Sequence, residues 1–126
     1  MNYQDFRKAA EKQDKRNIFK IENKVPDNIP KILVAFYQEC NPVDVEVLIE
    51  EIPVRFYPVQ ALSDLQEEYE LPGDRFVIAT CNGEPVYLYN DKVYTCYVDS
   101  DNIEDELLAD SFDLYLQKIV LETTNK

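Results

Sequence analysis

The stretch that most constrains the fold is RFVIATCNGEPVYLYNDKVYTCYV, residues 75–98, where apolar runs are broken by Asn82-Gly83 and Asn90-Asp91. Gly, Asn and Asp enter the left-handed backbone region that tight reversals need, so the chain is expected to fold back on itself twice. The spacing predicts three antiparallel strands, residues 75–81, 86–89 and 92–98, forming a β-meander. The first is apolar on both faces and is expected at the centre of a sheet. Glu84-Pro85, directly after Asn82-Gly83, predicts a loop longer than two residues. In the last strand Val93, Thr95 and Tyr97 are placed on one face.

Two more strands are expected upstream. Val45, Val47 and Ile49 alternate with Glu46, Leu48 and Glu50, the pattern of a half-buried strand. Residues 54–57 lie between Pro53 and Pro58, which favours an edge or an early position in the sheet. Helical spacing joins Ile29, Ile32, Leu33, Phe36, Tyr37 and Cys40, with Pro30 suited to a first turn and Asn41-Pro42 to a stop. A second helix is expected over residues 59–69, with Val59, Leu62, Leu65 and Tyr69 on one side, followed by a turn at Pro72-Gly73-Asp74. The last helix is expected to start near Asp110 as its cap, with Asp113 favourable at the positive end of the dipole. Its buried stripe is Phe112, Tyr115, Leu116, Ile119 and Val120.

Residues 3–16 carry only a thin apolar stripe (Tyr3, Phe6, Ala10) and read as a surface helix, while Ile18, Phe19 and Ile21 form a short anchoring patch. The expected architecture is a single α+β domain, a mostly antiparallel sheet of about five to six strands packed by helices. Residues 1–24 form an N-terminal helix and lead-in, 25–121 the main domain, and 122–126 a disordered polar tail.

Composition narrows the function. At 126 residues, with 45% hydrophobic and 30% charged, the chain has material for one core. It has no histidine, which removes Ser–His and Cys–His nucleophiles and the commonest zinc ligand. Two isolated glycines, Gly73 and Gly83, cannot form a phosphate-binding loop. Cys40, Cys81 and Cys96 are scattered and odd in number, which fits buried structural cysteines in a reducing compartment. Asp99-Ser100-Asp101-Asn102 resembles the start of a calcium loop but lacks the following glycine and a correctly spaced bidentate acid. Neither Glu50-Glu51 nor Glu67-Glu68 singles out a catalytic carboxylate pair. No catalytic residue, metal site or cofactor is expected. Residues 1–24 contain no apolar run of signal-peptide length, and no stretch approaches a membrane span, so a cytoplasmic location is expected.

The net charge of −12 is unevenly spread: residues 1–24 carry +3 and residues 25–126 carry −15. A body this acidic repels nucleic acid and anionic lipid and favours basic protein partners.

The order of motifs is similar to that of the SMI1/KNR4 (SUKH superfamily) domain. Residues 26–39 (PDNIPKILVAFYQE) resemble its first helix, and residues 54–71 (VRFYPVQALSDLQEEYEL) its strand, helix and turn. Residues 75–89 (RFVIATCNGEPVYLY) resemble its core strand and hairpin, and residues 110–120 (DSFDLYLQKIV) its closing helix. Asn41-Pro42 stands where members commonly have Asn-Gly, and the family's frequent tryptophan is missing.

The resemblance implies a non-catalytic, protein-binding domain. Bacterial members are regarded as immunity proteins that neutralise a cognate toxin, often a nuclease; fungal relatives act as regulators or scaffolds in cell-wall synthesis and signalling. A basic toxin domain is the expected partner, because a nuclease groove is itself basic. The residues expected to meet it are Glu46, Glu50 and Glu51 on the divergent strand, and Asp99, Asp101, Glu104, Asp105 and Glu106 in the acidic connector. Tyr87 and Tyr94 are candidate aromatic anchors.

Overall fold

The computed structural model describes residues 1–97 and 103–124. Among these residues, seven strands form one antiparallel sheet in which neighbours in space are neighbours in sequence. They are β1 (Ile18–Lys20), β2 (Asn41–Ile49), β3 (Ile52–Phe56), β4 (Phe76–Cys81), β5 (Glu84–Tyr89), β6 (Lys92–Thr95) and β7 (Glu106–Ala109). Helix α1 (Tyr3–Gln13) precedes the sheet, α2 (Val34–Glu39) and α3 (Leu62–Tyr69) interrupt it, and α4 (Phe112–Thr124) closes the chain. The class is the expected α+β. The strand number is higher than expected because β1 and β7 are short and carry no clear alternation.

Three two-residue reversals set the register, pairing Ile49 with Ile52, Cys81 with Glu84, and Tyr89 with Lys92. Asn82-Gly83 has φ of 50° and 84°, Asn90-Asp91 51° and 63°, and Glu50-Glu51 52° and 68°. Positive φ at both positions matches the right-handed twist of the flanking strands. The Asn82-Gly83 loop is therefore two residues long, not longer. Pro85 is tolerated because its carbonyl, which accepts from Thr95 Oγ1 at 2.8 Å, faces the β6 side, where the ladder ends at Thr95. No N–H is needed there. Glu50 and Glu51 lie in a turn rather than on a strand.

β3 is flanked on both sides, so its prolines do not mark an edge. Pro53 pairs with Leu48 beyond Val54–Cys81, the last pair that β4 contributes, and so costs no bond on that side. β4 is central, as its two-sided apolar pattern predicts. The expected helix over 29–40 is a 3-10 turn, Lys31–Leu33, followed by the short α2, and Asn41-Pro42 begins β2. The expected helix over 59–69 likewise starts with a 3-10 turn, Val59–Ala61. β6 stops at Thr95, so Tyr97 leaves the face of buried Val93 and is 71% exposed.

Register places Val45, Phe56, Ala79 and Val86 side by side, all buried, on the face covered by α1 and α4. Here α1 departs from the surface helix expected. Phe6 and Ala10 are fully buried, and the Phe6 ring lies 5.8, 5.8 and 5.3 Å from the rings of Phe19, Phe36 and Phe56. Phe6, Ala9 and Ala10 suffice to bury one side of a helix whose other positions are mostly charged or amide. α4 shows the expected core stripe at Phe112, Tyr115, Leu116 and Ile119. Its start is capped by Ser111, whose Oγ accepts from the Leu114 N–H at 3.1 Å, while Asp110 sits 3.9 Å from Lys92 Nζ. The helix continues through Thr124 with Thr123 buried, so most of the tail expected from residue 122 onward is helical.

Candidate functional site

Beside α4 the sheet leaves a groove of about 870 Å³. Its floor is the helix-side face of the strands: Val54 of β3, Cys81 of β4, Val86 of β5 and Thr95 of β6. Glu106 and Leu108 of β7 form one side, and Tyr115, Lys118, Leu121 and Glu122 of α4 the other. Ile49, Glu50 and Ile52 around the β2–β3 turn close one end. α4 thus carries two stripes. Phe112, Leu116, Ile119 and Thr123 are buried in the core, Lys118 and Glu122 line the groove, and Tyr115, itself buried, belongs to both sides.

Three large apolar side chains stand exposed at its lip: Ile52 at 42%, Leu121 at 52% and Tyr97 at 71%. Exposed apolar residues scattered singly are ordinary, but several gathered on one concave surface mark a contact site. Four carboxylates, Glu50, Glu84, Glu106 and Glu122, surround this apolar surface with one cation, Lys118. The Lys118 ammonium donates to the Leu108 carbonyl, and the Glu122 carboxylate accepts from the Glu50 N–H.

Of the acids expected at the partner surface, Glu50 and Glu106 line this groove. Glu46 lies opposite Arg55 on the other face of the sheet, Glu51 sits exposed in the turn, and Glu104 is exposed before β7. Asp99 and Asp101 lie outside the described residues. Asp105 is already engaged within the fold: its carboxylate accepts from Arg75 Nε at 2.9 Å and Nη2 at 2.7 Å, and from the Tyr87 hydroxyl. The Arg75 guanidinium, 4.2 Å from the Tyr89 ring centre, holds the Asp105 carboxyl below the usual carboxylate range, with the Tyr87 bond adding to the effect. Tyr87, a candidate exposed anchor, is instead fully buried, and Tyr94 is half-buried with its ring 6.1 Å from that of Tyr87. The aromatic at the groove is Tyr97. Leu121, one position beyond the expected α4 stripe, was the sequence signal for the lip, since an apolar residue just outside a core stripe has no core to enter.

The groove holds no activated nucleophile among its thiols. Burial pushes the Cys81 and Cys96 thiols up, the opposite of what activation requires, and away from the groove burial with the Glu39 charge pushes Cys40 up to about 11. Among the described residues no helix is long and apolar enough to cross a membrane.

No curated protein and no solved structure gives a significant match to the chain. The model of the SMI1 / KNR4 family (SUKH-1) matches residues 13–118, from the end of α1 to the groove-lining part of α4, and the chain belongs to that family.

Proposed function

We propose that this protein is a non-catalytic binding protein of the immunity type, which seats part of a cognate toxin domain in the groove beside α4 and so neutralises it in the cytoplasm. The observation that carries this reading is the groove itself: an apolar floor, three exposed apolar side chains at its lip and four carboxylates around it. A buried apolar anchor within a polar rim is how protein interfaces concentrate their energy. The acidity suits a toxin with a basic substrate groove, such as a nuclease, because charge complementarity speeds encounter by roughly 10–10³-fold.

A toxin gene immediately upstream would support this reading, and co-expression with its product provides the test. The chain is expected to restore growth and to co-purify with the toxin, and its association is expected to slow with added salt. Failure to rescue or to co-purify overturns the immunity reading. An on-rate indifferent to salt overturns the electrostatic part of it.

A further inference from the structure

The groove has a shape and charge that specify more than a generic partner. Its volume of about 870 Å³ accommodates a handful of side chains, not a folded domain. Something narrow must enter it. Val54 and Val86 are buried beneath the floor, and the half-buried Cys81 and Thr95, together with the exposed Ile52 and Leu121, offer no charge and call for apolar side chains. Glu50 at the β2–β3 turn and Glu106 on β7 bring carboxylates from two separate elements, and both residues are exposed. Lys118, the one cation among the lining residues, donates to the Leu108 carbonyl, and its single charge is outnumbered by the four lining carboxylates.

We propose that this groove takes a Lys/Arg-bearing segment of the partner, with one apolar side chain set on the floor and its basic side chains directed to Glu50 and Glu106. This inference rests on the protein-binding reading above. An acidic segment or a phosphate backbone meets carboxylates on both sides and is repelled. A small apolar ligand would satisfy the floor but leave Ile52, Tyr97 and Leu121 uncovered, whereas a peptide segment is broad enough to cover them.

The full chain, labelled with nitrogen-15, is titrated with a capped twelve-residue peptide of alternating Lys and Ser around one central Phe. Three controls accompany it: the same peptide with Glu for Lys, the same with Ser for Phe, and cyclohexanol as a neutral apolar molecule. The amide signals of Ile52, Tyr97 and Leu121 are expected to shift with the first peptide. Binding is expected to weaken at least about tenfold with either peptide control, and by a similar factor in the double variant Glu50→Lys, Glu106→Lys. Those two residues are exposed, so the variant is expected to keep the wild-type amide spectrum elsewhere. Equal binding of the Glu peptide, shifts confined to other surfaces, or saturation of the groove by cyclohexanol but not by the Lys peptide each overturns the proposal. The two readings fail separately. A toxin that still binds the double variant and Leu121→Ser at full strength overturns the groove occupant while leaving protein binding intact. A toxin that binds neither the variants nor the wild type overturns the immunity reading, and the peptide titration then decides the groove by itself.

Discussion

The side-chain amide of Asn17 pairs with both backbone groups of Glu46: Oδ1 accepts from the Glu46 N–H at 2.9 Å, and Nδ2 donates to the Glu46 carbonyl at 3.0 Å. It stands where a neighbouring strand would be, because the β1 ladder along β2 ends at Asp44. Two residues further, Gln13 does the same for Leu48, accepting from its N–H at 2.6 Å and donating to its carbonyl at 3.2 Å. Gln66 of α3 brackets Val77 at 2.7 Å on each side, where β3 does not reach along β4. Three amides thus satisfy strand backbone that the sheet itself leaves unpaired.

Replacing Asn17 therefore has two expected consequences. Asn17→Ala leaves the Glu46 N–H and carbonyl and the Ala10 carbonyl without this partner, at a cost of roughly 2–4 kcal/mol. It also opens an edge for pairing between copies. A lowered urea midpoint and a mass that rises with concentration in light scattering are expected; an unchanged midpoint contradicts the account.

The Arg75–Asp105 pair gives a pH dependence of definite sign. The folded-state pKa of Asp105 is depressed, so its contribution is present above the ordinary carboxylate value of about 4 and is lost as pH falls through the folded value. Asp105→Asn is expected to cost about 1–3 kcal/mol near neutral pH, with the difference from wild type shrinking below about pH 4. A difference that stays constant from pH 7 to pH 3 contradicts the assignment.

Glu51 holds a φ of 68° in the β2–β3 turn, where a side chain is strained and glycine is not. Glu51→Gly is expected to stabilise the chain by about 0.5–1 kcal/mol after the entropy of a freer unfolded chain is subtracted. For a domain of this size that raises Tm by roughly 2–5 °C, measurable by calorimetry. A lowered Tm shows that Glu51 contributes a contact larger than its strain.

The meander was legible because Asn82-Gly83 and Asn90-Asp91 carry their conformation in their residue types, and the core stripe of α4 because five bulky residues repeat at helical spacing. The β2–β3 reversal was not, since glutamates rarely take positive φ and nothing local announces it. α1 was misjudged for a related reason: Phe6 and Ala10 form a narrow stripe, and only the three rings of Phe19, Phe36 and Phe56 around Phe6 show that it is core. At the groove, charge composition indicated the acids Glu50 and Glu106. It could not separate them from Asp105, whose partner Arg75 is thirty residues away. Tyr97 was placed on the wrong surface because the strand ends two residues before it.

Cys81 offers the most direct measurement of the central claim, because it lies half-buried on the groove floor while Cys40 and Cys96 are buried. In the free protein, iodoacetamide is expected to modify Cys81 first, at a rate that keeps rising above pH 9 because its thiol titrates above the ordinary value. In the complex with the toxin domain, modification of Cys81, followed by mass spectrometry, is expected to fall to the rates of Cys40 and Cys96. Alkylation of Cys81 as fast in the complex as in the free chain contradicts the groove as the binding site.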